Sequence, residues 1–371
     1  MIKKRFNEIY AKYGGIYTDD ITEEDHIIHK EIKWISSMLN TYYNNKKVCI
    51  ITPEGLKNTE WDNLNMDKDN YHPHINVYSV NSLIPNAFAT KIDEEYCIGI
   101  LKGLNIFLKE RIKYFVEDEA FSNIPEVGRV IPWRMNQVLY ENCIKFLVFH
   151  EFFHINNGHC DLGRKLGIYE LCEVSSNVNI EHSMIIQTLE YDADCCAIAA
   201  LINEEIRMYQ MTFINMGMGD FGCIIDSLIR FLAGVLIGLY ILYNWLDGAS
   251  NKKDILNKKK LEHLNHPVPG LRICYIALNA FNTLSNTGFF TEEQINQISE
   301  RVLKALFIFI KSFEDVADPQ FISIMKTELG INHMQKVHDN WKQVREMLDV
   351  HYTHLAPYDK CDFKSLFKGD E

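Results

Sequence analysis

From Phe231 to Tyr243 the chain carries no polar side-chain atom beyond the hydroxyls of Tyr240 and Tyr243, and the apolar run resumes at Trp245-Leu246 after Asn244. A helix that is apolar all round has no face to offer water, so the fold must surround it or a bilayer must. Crossing a membrane takes about 18 to 20 apolar residues, more than this run supplies. The expectation is therefore a helix over Asp226–Leu246 buried in a protein core. Gly234 and Gly238 form a GxxxG, which lets a neighbouring helix approach closely in either setting.

The rest of the composition fits a folded chain. Of 371 residues, 47% are apolar and 24% charged, which excludes a disordered, collagen-like or disulfide-stapled protein. At about 150 residues per domain, the length accommodates two or three domains. A formal charge of −12 argues against a protein that coats nucleic acid, because phosphate contacts need a basic surface. The ten cysteines are scattered without a CxxC pair, so a cysteine-based zinc knuckle is excluded. Met1–Phe6 is basic with no apolar stretch behind it, so no secretory signal is expected. The thiols then read as reduced, in a cytoplasmic protein. Membrane association through residues 231–246 is the alternative.

Along the chain, Met1–Tyr13 and Asp25–Asn45 have helical patterns, followed by a strand at Val48–Thr52 and a polar loop around Asn58–Asn70. Ile75–Val80 and Tyr96–Ile100 are β-like and flank Asn86–Thr90. Beyond them the pattern turns helical: Gln137–Asn156, Met184–Leu201, the apolar run, and several helices from Pro269 to about His354. Thr291-Glu292-Glu293 has the hydroxyl cap and acidic first turn of a helix start. The expected class is α+β and predominantly helical. Residues 1–70 form an N-terminal helical region, 71–285 the chemistry-bearing domain, and 286–371 a helical C-terminal region.

That chemistry centres on His150-Glu151-Phe152-Phe153-His154, an HExxH. Residues four apart share one face of a helix, so both imidazoles can reach one zinc ion, with Glu151 beside it as general base. The preceding Ile144, Phe146, Leu147 and Val148 are apolar. Two histidines and a glutamate in such a run are costly to bury unless paired or bound to metal. A catalytic zinc needs a third protein ligand. The HExxHxxGxxH pattern is excluded, because positions 157 and 160 hold Asn157 and Cys160. His159 lies about 500° of helix rotation from His154, off the ligand face. Gly158 is expected to end the helix, with His159 structural or beside the site.

Glu190 and Asp194, again four apart on an apolar helix, are the better candidates. Glu190 is expected as third ligand and Asp194 as the acceptor that orients a ligating histidine, His150. Asp192 falls on another side of that helix and is expected to face solvent. His263, His72, His74, His351 and His354 read as ordinary histidines.

HExxH followed by ExxxD on a later helix resembles the gluzincin zinc metallopeptidases. Three further segments are similar to the branch that contains the CAAX prenyl protease and the heat-shock protease HtpX. They are Asn86-Ala87-Phe88-Ala89 with Ile98–Leu104, Glu190–Ala197, and His266-Pro267 with Arg272-Ile273. The resemblance covers residues 75 to about 280. A clear pair of membrane spans is missing, which leaves room for soluble relatives of the phage-exclusion peptidase Lit type.

The resemblance implies a zincin-like core with one zinc ion per chain, a protein or peptide substrate, and a metalloendopeptidase activity. The zinc would polarise the scissile carbonyl and activate water, with Glu151 accepting the proton and passing it to the leaving amine. Asn86, Ala87, Phe88 and Ala89 would form an edge to which substrate adds as a strand. His266 would donate to the oxyanion, and Arg272 would brace Asp194. The alternative is a metal-binding regulatory or interaction protein with little hydrolysis, and the intact Glu151 argues against it.

Overall fold

The structure is a computed structural model that describes residues 2–16, 47–52, 55–60, 75–168, 171–172, 182–216, 221–246, 258–264, 266–313, 324 and 327–348. Helix α1 (Ile2–Ile9) continues as a 3₁₀ turn at Tyr10–Tyr13. Strands β1 (Lys47–Thr52) and β2 (Gly55–Glu60) form an antiparallel hairpin of their own. Asn58, Thr59 and Glu60 thus belong to a strand instead of the expected polar loop. Most of that loop, the helix expected over Asp25–Asn45, and His72, His74, His351 and His354 lie outside the described residues.

The main sheet contains β3 (Ile75–Val80), β4 (Ala87–Ile92), β5 (Glu95–Leu101) and β6 (Leu171–Cys172), in the order β3-β5-β4-β6. β3 runs parallel to β5, while β4 is antiparallel to both of its neighbours. Side chains alternate between faces along a strand. Ala87, Ala89, Tyr96, Ile98 and Ile100 accordingly enter the main core. Phe88, Ile92, Cys97 and Leu101 face the other way, onto Phe6 and Tyr10 at the N-terminus.

The remaining described elements are helices: α2 (Lys102–Val116), α3 (Pro132–Asn156), α4 (His159–Lys165), α5 (Ser183–Met216), α6 (Phe221–Leu246), α7 (Lys258–His263), α8 (Pro269–Asn286), α9 (Glu292–Ser312) and α10 (Glu328–Met347). The protein is therefore α+β and predominantly helical. Pro132 opens α3 at its first turn, where its missing N–H costs nothing. α9 starts with a full capping box on Thr291 and Gln294.

The apolar run lies in α6. Its span Gly222–Asn244 is, among the described residues, the one helix long and apolar enough to cross a membrane, yet 78% of its most apolar window is buried inside the fold. The GxxxG faces α3: a Cβ on Gly238 would stand 2.5 Å from Cys143 Sγ and 3.5 Å from the Leu139 carbonyl oxygen. α6 thus seats the helix that carries the HExxH. One apolar cluster runs from Ala87 of β4 to Trp341 of α10, so the core is continuous across position 285.

Candidate metal centre

His150 and His154 lie one turn apart in the buried C-terminal half of α3, and Glu190 faces them from α5. The two Nε2 atoms are 2.9 Å apart. Glu190 Oε2 lies 3.2 Å from His150 Nε2 and Oε1 lies 3.3 Å from His154 Nε2. Among the described residues this trio alone brings three donor atoms of His, Cys, Asp or Glu within 4.8 Å of one another, and all three residues are buried.

Each histidine has a polar partner on its far side. His150 Nδ1 is 2.8 Å from Asp194 Oδ1. Asp194 also accepts from Arg272 through two bonds of 2.8 Å and from the Tyr275 hydroxyl at 2.7 Å. Burial alone would raise the Asp194 carboxyl, but Arg272 first and His150 next outweigh it and hold it down at about 2. An ionised carboxylate only accepts, so a neutral His150 facing it carries its proton on Nδ1 and leaves Nε2 with a lone pair. Tyr275 keeps its proton, because burial and then the Asp194 charge push its pKa well up. The Arg272 guanidinium stacks 4.0 Å from the centre of the Tyr243 ring, which ties this network to α6.

On His154, burial holds the imidazole neutral, with its pKa lowered to about 3. Its Nδ1 is 2.9 Å from His159 Nδ1, and His159 Nε2 is 3.0 Å from Asp192 Oδ2. His159 donates to that carboxylate and accepts from His154, so His154 Nε2 is bare as well. In these tautomers two lone pairs and a carboxylate converge. Neutral imidazole plus carboxylate is a donor set that first-row divalent metals accept. The residues fit a metal ion.

Glu151 follows His150 on α3 and is buried. Nearby Cys160 is buried, and burial, then the charges of Glu151 and Asp161, push its thiol pKa well above the usual range. His266, just before α8, reaches the cluster with Nδ1 3.2 Å from Glu190 Oε2, and its side chain is 14% exposed. Arg272 meets Asp194 and also comes within 3.7 Å of Glu190.

Two expectations are corrected. Asp192 is not at the surface: it is buried and accepts from Asn157, His159 and Trp341. The turn at Gly158 (φ 75°) brings α4 back across the end of α3, and α10 covers the remaining side. Nor is the segment Asn86–Ala89 an open edge. Ala87, Phe88 and Ala89 pair with β5, and Phe88 and Ala89 also pair with Cys172 and Leu171 of β6. Asn86 precedes β4 and accepts from the Leu101 amide through its carbonyl. The chain beyond α4 returns as β6 and pairs with Phe88 and Ala89, where a substrate strand would otherwise add.

Asn157, Tyr275 and Trp341 went unnoticed in the sequence. Asn157 could have been found from its place one turn past His154 in a buried segment. Trp341 carries no local signal.

Comparison with known protein families, with curated proteins and with solved structures gives no match to this chain.

Proposed function

We propose that the chain is a zinc-dependent metalloendopeptidase of gluzincin type, with His150, His154 and Glu190 as the metal ligands. The observation that carries this reading is the convergence of two histidine Nε2 atoms and one carboxylate, all buried, with a buried Glu151 beside them in HExxH register. A divalent metal held there supplies Lewis-acid polarisation of a carbonyl and lowers the pKa of water.

The chain's own residues do the rest. Glu151 accepts the proton of the attacking water and delivers it to the leaving amine. Asp194, clamped by Arg272 and Tyr275, holds the His150 ring in its Nδ1–H form. His266, at the solvent side of Glu190, is the candidate donor to a developing oxyanion. Protein or peptide is the substrate class and nucleic acid is not a partner. The proposed location is the cytoplasm, because the apolar surface of α6 is used up in packing.

A second reading is a metal-binding regulatory protein with little hydrolysis. It is favoured by one observation: the trio is almost fully buried and β6 covers β4 beside it.

Metal analysis and a cleavage assay separate the two. On the first reading the purified chain carries zinc, Glu190→Ala loses it, and Glu151→Gln keeps it while losing cleavage. Equal cleavage by wild type and Glu151→Gln would refute the proposed base. Full zinc occupancy in Glu190→Ala would remove Glu190 from the ligand set.

A further inference from the structure

Asp192 lies two residues past Glu190 and points to a different side of α5, away from the metal trio. Its surroundings are nonetheless built with care. Trp341 Nε1, from α10, donates to Oδ1 at 2.6 Å. Asn157 Nδ2, from the end of α3, donates to Oδ2 at 2.6 Å. His159 Nε2, from the start of α4, meets the same oxygen at 3.0 Å. Three elements thus send N–H groups to one buried carboxylate. Burying an ionisable group this way seldom improves stability over apolar packing, so the cluster calls for a further reason.

That reason lies at the other end of His159. With Nε2–H committed to Asp192, Nδ1 is an acceptor, and the atom facing it at 2.9 Å is His154 Nδ1. His154 must then donate from Nδ1, which leaves Nε2 bare and aimed at Glu190 Oε1, 3.3 Å away. The path from Asp192 ends on a candidate ligand. The left-handed turn at Gly158 makes it possible, because it folds the chain so that His159 stands behind the His154 ring.

We propose that His159 and Asp192 are positioning residues that fix the tautomer and orientation of His154 and strengthen its Nε2 as a metal ligand. This rests on the metal-site reading above. The site then has two supports of unequal length. His150 reaches its carboxylate directly, and His154 reaches one through an intervening imidazole. Partners of this kind are worth about 10- to 100-fold in metal affinity.

The test titrates the full-length chain with zinc against a competing chelator and records the visible spectrum of the cobalt(II)-loaded form. Asp192→Asn and His159→Leu should each weaken zinc binding by about 10- to 100-fold and alter the cobalt spectrum. His159→Gln, which still offers an oxygen to His154 Nδ1–H, should recover part of the affinity lost in His159→Leu. Trp341→Phe leaves the path to His154 whole and should lower thermal stability with little change in zinc affinity. Where Asp192→Asn does not fold, the His159→Gln and His159→Leu pair decides. Folded variants that bind zinc within about twofold of wild type, with unchanged cobalt spectra, would overturn the proposal. A wild-type chain that binds neither ion would overturn the metal-site reading itself, an outcome separate from any variant.

Discussion

Arg272 holds Asp194 with two parallel bonds, Nε to Oδ2 and Nη2 to Oδ1, each 2.8 Å long. The pair is buried, with Tyr243 stacked on the guanidinium. Removing one partner of such a pair strands the other charge, at a cost of about 3–5 kcal/mol. Arg272→Met should therefore lower the unfolding free energy measured by urea denaturation by an amount in that range. Arg272→Lys keeps the charge but loses the planar fork and the stacking, and should recover only part of the loss. Full recovery by lysine would show that charge alone matters at this position.

The two glycines of the GxxxG in α6 should respond in opposite directions. A Cβ at Gly234 meets nothing closer than 3.5 Å, whereas one at Gly238 would press on Cys143 Sγ at 2.5 Å. Alanine in a helix is favoured over glycine by about 1 kcal/mol, so Gly234→Ala should stabilise the protein by up to that much. Gly238→Ala should destabilise it by about 1–3 kcal/mol through overpacking, and adding Cys143→Ala should relieve part of the strain. Denaturant unfolding of the three variants measures this. Equal effects at both glycines would contradict the packing of α6 on α3.

The pH dependence of stability has an identifiable contributor in His333. It is buried on α10, with Nε2 2.8 Å from Gln187 Oε1, and burial lowers its pKa from 6.5 to about 4. Below pH 6.5 the unfolded chain takes up a proton that the folded chain refuses. This contribution is therefore complete above pH 6.5 and is lost as pH falls toward 4, by about 3 kcal/mol over that window. His333→Gln should flatten the pH profile of unfolding between 6.5 and 4. An unchanged slope would exclude His333 as the source.

What the sequence disclosed depended on how local each signal was. His150 and His154, and Glu190 and Asp194, are pairs one helical turn apart, so periodicity alone placed each pair on one face. The cap at Thr291 was equally local, and its hydroxyl accepts from the Gln294 amide at 3.2 Å. Asp192 was misread because its partners come from elsewhere: Trp341 is 149 residues away, and no periodicity encodes such a meeting. β6 was invisible for a related reason. Two residues, Leu171 and Cys172, are too short a run to read as a strand, and their pairing with β4 depends on the turn at Gly158 and on α4.

Conservative replacement of Thr291 offers a check on the local part of that reading. The reciprocal capping bonds on Thr291 and Gln294 should make Thr291→Ala cost about 1 kcal/mol. Thr291→Ser, which keeps the hydroxyl, should be close to neutral. Thermal unfolding distinguishes the two, and an equal loss in both would assign the effect to the methyl group.

We propose that this buried cluster cleaves protein with Glu151 as base. Its most direct test compares newly formed protein N-termini in cells expressing wild type with those in cells expressing Glu151→Gln at matched levels and matched metal content. A specific set of N-termini should appear with wild type and be missing with the variant. Identical sets in the two samples would contradict it.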